Sequence, residues 1–179
     1  MKKNELRRIV LEKLKNKKIT PTMFLKMYRK VFDTSEWRNA KVIALTLNTD
    51  NEIPTYPLIF KALSEGKQIV IPKTFKNKKM IFYRLTTHTK LKKSKFGIWE
   101  PVNGIEATKD KIDLIFIPGV AFCITTGQRI GYGGGYFDCY LQDYFGSTIS
   151  LVQKEQVFGD MIWDSEKFDI PVQKIFVGA

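Results

Sequence analysis

The chain has 179 residues, of which 44% are hydrophobic and 27% charged, and a formal net charge of +12. Such a length suits one domain with a sizeable core, and the composition excludes a disordered chain. No apolar run is long enough for a transmembrane helix. The charged N-terminus lacks the apolar centre of a signal peptide, so a single cytoplasmic domain over residues 1–179 is expected. Two cysteines, Cys123 and Cys139, and one histidine, His88, are too few for a disulfide framework or a Cys/His zinc site.

The charge is unevenly spread. Eleven Lys or Arg and two Glu lie between Met1 and Lys30, no acidic residue occurs from Gly66 to Trp99, and seven Asp or Glu face two Lys between Asp138 and Asp169. A basic surface attracts polyanions, whether nucleic acid or a phosphorylated or multiply carboxylated small molecule. A plain solvated surface rich in Lys accounts for it equally well.

In chain order, Leu6, Ile9, Val10 and Leu14 share one face and predict a first helix. Thr20 as N-cap and Pro21 at the first helical position announce a second, with Met23, Phe24, Met27 and Val31 on its apolar face and Trp37 closing the helical layer. Residues 41–47 read as a buried strand. Thr55 caps a helix that runs through Leu63 and is closed by Gly66. Strands follow at 68–71, stopped by Pro72, at 80–84 and at 113–117. A glycine-rich loop leads into a helix over 136–144, and short strands at 148–152 and 174–177 finish the chain. Helices alternating with short apolar strands predict a three-layer α/β/α fold around a mainly parallel sheet. In such folds ligands gather at the carboxyl ends of strands, here the loops after Leu47, Pro72 and Pro118.

The most informative stretch is Ile117–Asp138, IPGVAFCITTGQRIGYGGGYFD. Gly131, Gly133, Gly134 and Gly135 directly precede a helix, where backbone N–H groups can approach an anion and the helix dipole favours negative charge. Arg129 adds a planar fork suited to phosphate oxygens. Asp138 is placed to hold a magnesium ion against those phosphates. The spacing is neither that of a P-loop nor that of a dinucleotide fingerprint, and from the residues alone a phosphate cradle and a structural turn both remain open.

The run PGVAF followed by G-x-R-I-G-Y-G-G-G-Y-F-D resembles the signature of the 5-formyltetrahydrofolate cyclo-ligases. Lys3–Arg7, the segment Glu52–Thr55 and the segment Phe96–Pro101 resemble shorter motifs of the same family. The chain departs from the family pattern at Cys123, Cys139, Phe168 and Gln173.

The resemblance implies a three-layer α/β enzyme that converts 5-formyltetrahydrofolate and MgATP to 5,10-methenyltetrahydrofolate, ADP and phosphate. It places Lys3, Asn4, Glu5, Leu6 and Arg7 on ATP, together with Arg129, Ile130, Gly131, Tyr132, Gly133, Gly134, Gly135, Tyr136 and Phe137. Leu47, Glu52 and Phe96 would meet the folate, which Tyr132–Tyr136 would also border. Asp138 and Asp169 would hold Mg2+, and Arg129 and Tyr132 would act in catalysis. Phosphoryl transfer relies on positioning and charge neutralisation, so the lack of a Ser-His-Asp or Cys-His set is expected.

As a phosphate clamp, Arg129 would be dispensable for folding. The expected partner is a small-molecule folate, with or without a polyglutamate tail. A monomer without nucleic-acid or membrane partners is the expected working unit. The rival readings are a basic nucleic-acid-binding module and another α/β enzyme, such as a sugar-phosphate isomerase or acyl-CoA transferase.

Overall fold

The computed structural model describes residues 1–178. Its elements run α1 (Lys3–Leu14), a 3-10 turn at Pro21–Phe24, α2 (Leu25–Phe32), α3 (Ser35–Asn39), β1 (Val42–Ala44), α4 (Tyr56–Ser64), β2 (Gln68–Thr74) and β3 (Met80–Arg84). They continue with β4 (Leu91–Lys93), β5 (Trp99–Pro101), β6 (Glu106–Ala107), β7 (Leu114–Phe116), β8 (Ala121–Cys123), β9 (Arg129–Ile130), α5 (Tyr136–Leu141), β10 (Ser147–Val152), β11 (Val157–Phe158) and β12 (Lys174–Val177).

Seven strands form the main sheet in the order β12-β10-β7-β1-β2-β3-β6. The pairs from β12 to β2 are parallel, and β3 and β6 are added antiparallel at one edge. Because side chains alternate along a strand, its two faces bury different sets. Ile43, Leu45, Ile69, Ile71, Leu114, Phe116 and Ile149 point to one side, where Phe24, Val31, Trp37 and Leu58 from α2–α4 and the preceding turn cover them. Ala44, Val70, Ile115, Ile117, Phe82 and Val152 point to the other, where Leu141 of α5 joins them. Each such large apolar side chain contributes about 1.5–3 kcal/mol on burial.

A third core cluster sets Leu6, Val10 and Leu14 of α1 against Ala121, Cys123 and Ile130 of the small sheet β11-β8-β9. Spacing of four puts those three residues on one stripe, so the packing fixes how the helix presents its polar side, including Lys3 and Arg7, to the chain that follows β9.

The sequence expectations hold for the mainly parallel α/β architecture, and four local expectations are corrected. Pro72 does not stop β2; the strand continues to Thr74 and pairs with β3. Val70 turns its carbonyl to the β1 side, where Leu45 N–H donates to it, so Pro72 would turn its missing N–H the same way, at a point where β1 has ended. Thr20 makes no side-chain cap, and Pro21 opens a 3-10 turn that leaves Met23 exposed. Thr55 does not cap α4, because its hydroxyl is taken by the Thr46 carbonyl at 3.0 Å. The last helix is shorter than expected and ends at Leu141. Strands β4, β5, β6, β8, β9 and β11 have two or three residues each, too few to show a period.

Candidate functional site

From β1 the chain passes to β2 on one side, and β7 later enters on the other side. A reversal of strand order of this kind leaves a crevice at the carboxyl ends. A cavity of about 270 Å³ lies there. Thr46, Thr49 and Glu52 from the loop after β1, Pro118 from the loop after β7, and Thr74 at the end of β2 form part of its wall. The segment from Arg129 to Asp138 and the hairpin residues Phe96, Ile98 and Glu100 close the rest.

The glycine loop forms this wall by close approach and by turning. A Cβ on Gly134 would lie 2.8 Å from the Tyr136 ring, which glycine alone permits. Gly135, at φ +69°, is in the left-handed region and leads directly into α5. That helix has six residues, so its dipole is a small part of the site's electrostatics. The Tyr136 hydroxyl donates to the Phe75 carbonyl at 2.9 Å and ties the loop to the β2–β3 turn.

Arg129 lies in the cavity wall with its side chain 2% exposed and donates to Asp138 Oδ1 at 3.0 Å. Burial lowers its pKa, and the charges of Asp138 and Asp169 raise it again. An arginine remains protonated through such a shift. Its Nε finds no acceptor among the described residues. Asp138 Oδ1 also accepts from Ile170 N–H at 3.1 Å. Asp169, far along the chain, accepts from Lys3 Nζ at 2.6 Å and from Glu166 N–H at 2.7 Å. Ile170 N–H thus brings the backbone next to Asp169 onto Asp138, while among the described residues only Asp138 pairs with the guanidinium. Lys3 and Arg7 are one helical turn apart, and Arg7 Nε donates to the Gly131 carbonyl at 2.8 Å, so α1 grips the loop directly.

Glu52 bridges two loops in the same cavity. Its Oε2 accepts from Thr49 N–H at 2.7 Å and Thr49 Oγ1 at 3.0 Å, and its Oε1 accepts from the Tyr132 hydroxyl at 2.8 Å. A carboxylate has about four acceptor positions, so one on Oε1 is left for an incoming donor. Enclosure of the phenol and then the adjacent Glu52 charge hold the Tyr132 pKa well above the ordinary tyrosine value. The outer edge of Tyr132 stays in solvent, with the residue 46% exposed. Phe96 is half-exposed and meets the Tyr136 ring edge-on at 6.3 Å.

The structure thus gathers Lys3, Arg7, Glu52, Phe96, Arg129, Tyr132, Tyr136, Asp138, Asp169 and the loop glycines into one region. Asn4 accepts from Arg7, and Phe137 lines the cavity. Leu6 and Ile130 send their side chains into the third core, so only their backbone faces outward. Glu5 is exposed in the first turn of α1. Leu47 packs against the first core and is not among the residues that line the cavity. Arg129, expected to be dispensable for folding, has its side chain in a buried ion pair with Asp138.

Sequence reasoning gave no role to Thr46, Thr74 or Glu100. Glu100 Oε1 accepts from Thr74 Oγ1 at 2.6 Å inside the wall. The signal was within reach, since Glu100 belongs to the segment Phe96–Pro101 already singled out.

The chain has counterparts among known proteins. The profile of the 5-formyltetrahydrofolate cyclo-ligase family matches residues 1–178. The 5-formyltetrahydrofolate cyclo-ligase of Haemophilus influenzae is 33% identical over 150 residues, covering 80% of this chain and 79% of its own. A probable 5-formyltetrahydrofolate cyclo-ligase of Schizosaccharomyces pombe is 35% identical over 167 residues, covering 88% of this chain and 80% of its own. The NMR structure of the Aquifex aeolicus 5,10-methenyltetrahydrofolate synthetase superposes with a TM-score of 0.82 at 30% identity, over 99% of this chain and 90% of that one. With the profile matched from end to end and the glycine loop folded at the head of the cavity, the chain belongs to the 5-formyltetrahydrofolate cyclo-ligase family.

Proposed function

We propose that the chain converts 5-formyltetrahydrofolate to 5,10-methenyltetrahydrofolate with conversion of ATP to ADP and phosphate. The observation that carries this reading is a cavity lined by Arg129 and the glycine loop together with the carboxylate of Glu52 and the rings of Phe96, Tyr132 and Tyr136. The arginine and loop glycines suit phosphates, and the carboxylate and rings suit a pterin, which offers N–H donors and a flat ring. The γ-phosphoryl group passes to the formyl oxygen, N10 then closes on the activated carbon, and phosphate leaves.

The residues of the chain position and neutralise. Backbone N–H groups of Gly133–Gly135 line the phosphates, while Arg129 beneath them supplies a permanent charge in a poorly solvated place, where it acts more strongly than in water. Arg7 secures the loop from α1, and Lys3 holds Asp169. Tyr132, its hydroxyl aligned by Glu52, offers its oxygen to the reacting region, and Glu52 keeps one acceptor position for a pterin N–H. Phe96 covers the folate ring from the hairpin.

Magnesium belongs to the same reading. Asp138 is paired with Arg129 and Asp169 with Lys3, and each spends a single oxygen on hydrogen bonds among the described residues, Oδ1 in one case and Oδ2 in the other. One free oxygen apiece, with phosphate oxygens and water, meets the needs of this ion. When bound, it neutralises phosphate charge.

The basic surface then serves anionic small molecules rather than nucleic acid. No helix among the described residues is long and apolar enough to cross a membrane. Incubation with γ-labelled ATP tests the proposal: labelled phosphate should be released only when 5-formyltetrahydrofolate is present, in equal amount to the methenyl product. Phosphate release indifferent to the folate would refute it.

A further inference from the structure

The turn between β2 and β3 carries a feature that the family signature does not contain. Phe75 N–H donates to the Lys79 carbonyl at 2.8 Å and Lys79 N–H to the Lys76 carbonyl at 3.3 Å. The two central residues, Asn77 and Lys78, both have φ of +59°. Two left-handed residues in succession make a tight hairpin turn of the I′ type, for which Asn followed by Gly is the preferred pair. Asn77 suits its place. Lys78 stands where glycine relieves the strain, and side chains retained in such conformations gather at functional sites.

The Lys78 side chain runs onto the glycine loop. Its Cε lies 3.3 Å and its Nζ 3.4 Å from the point that a Cβ on Gly135 would occupy. The hydrogen bond from the Tyr136 hydroxyl to Phe75 fastens the turn in that position. Nearby cations are already engaged by the protein: Arg129 with Asp138, Lys3 with Asp169, and Arg7 with the Gly131 carbonyl. Lys78 makes no ion pair among the described residues. A charge held against an anion cradle, on a strained turn and without a protein partner, is available to the ligand.

We infer that Lys78 contacts the phosphates of the nucleotide seated in the glycine loop. This rests on the reading that the loop cradles ATP. It assigns the β2–β3 turn a binding role beyond its place in the sheet, and it explains why position 78 is not glycine.

The test uses the full chain and compares wild type with Lys78→Gly, Lys78→Gln and Lys78→Arg. Wild type is assayed first for ATP-dependent product formation and for binding of a non-hydrolysable ATP analogue. Removal of one charge-assisted contact should raise the KM for ATP and the Kd of the analogue about 10- to 100-fold in both Lys78→Gly and Lys78→Gln. The KM for 5-formyltetrahydrofolate should stay within about twofold, and Lys78→Arg should regain most of the loss. Lys78→Gly should also melt at a higher temperature than wild type, because it relieves the turn, whereas Lys78→Gln should not. Wild-type ATP dependence in the two neutral variants would overturn the role of Lys78 and leave the proposed activity standing. A wild-type chain that neither binds the analogue nor needs ATP would overturn both.

Discussion

Replacing Arg129 by methionine removes a guanidinium whose side chain is 2% exposed and leaves Asp138 as a carboxylate with one protein partner fewer. Breaking a buried ion pair on one side costs about 3–5 kcal/mol when the survivor is wholly enclosed. Asp138 is not wholly enclosed: its side chain is 20% exposed, and Ile170 N–H still donates to it at 3.1 Å. The expected cost is therefore nearer 2–3 kcal/mol, and for a chain of this length each kcal/mol lowers Tm by about 2–4 °C. Arg129→Met should melt roughly 4–12 °C below wild type. Adding Asp138→Asn removes the stranded charge while keeping an oxygen for Ile170, so the double variant should recover at least about 1 kcal/mol of the loss. Urea unfolding of wild type, both single variants and the double variant closes this cycle. Activity should be lost in every variant that lacks Arg129, which separates the two roles of the residue. A single variant as stable as wild type, or a double variant whose losses simply add, would refute the reasoning.

Other consequences follow from the same geometry. Glu52→Gln should raise the KM for the folate about tenfold, on the scale of one hydrogen bond to a charged acceptor, and leave that for ATP within about twofold; equal effects on both would contradict a folate-side role. The raised pKa of Tyr132 means that its contribution to stability is fully present below pH 10 and is lost only as pH rises beyond that value. In an alkaline absorbance titration of the native protein, Tyr132→Phe should therefore leave the phenolate step near pH 10 the same size as in wild type. Asp138→Asn and Asp169→Asn should each raise the magnesium concentration for half-maximal activity, and unchanged dependence in both would remove them from the metal's site.

Much of the fold was legible because its strands obey local rules. Residues 80–84 were bounded correctly from apolar content alone, and the sheet's parallel character followed from helices alternating with strands. Pro72 was misread because proline ends a strand only where its missing N–H faces a partner, and which side is free depends on where β1 stops, a tertiary fact. The short strands around the site are made by pairing rather than by propensity. At the site itself, residue types were readable and their bonding was not. Arg129 reads as a phosphate clamp dispensable for folding, yet its side chain is buried and paired with Asp138 of α5. Glu52 and Tyr132 lie 80 positions apart and share one hydrogen bond that no spacing rule reveals. Lys78 was one lysine among many in an acid-free stretch, and its placement over Gly135 depends on a turn geometry that Asn-Lys does not announce.

The measurement that bears most directly on the central claim is the absorbance of the methenyl product on mixing purified chain with 5-formyltetrahydrofolate, with and without MgATP. The account predicts growth of the methenyl chromophore only with MgATP present, and its loss in Arg129→Met under conditions where that variant remains folded. Product formation without ATP, or none with it from correctly folded protein, would contradict the account.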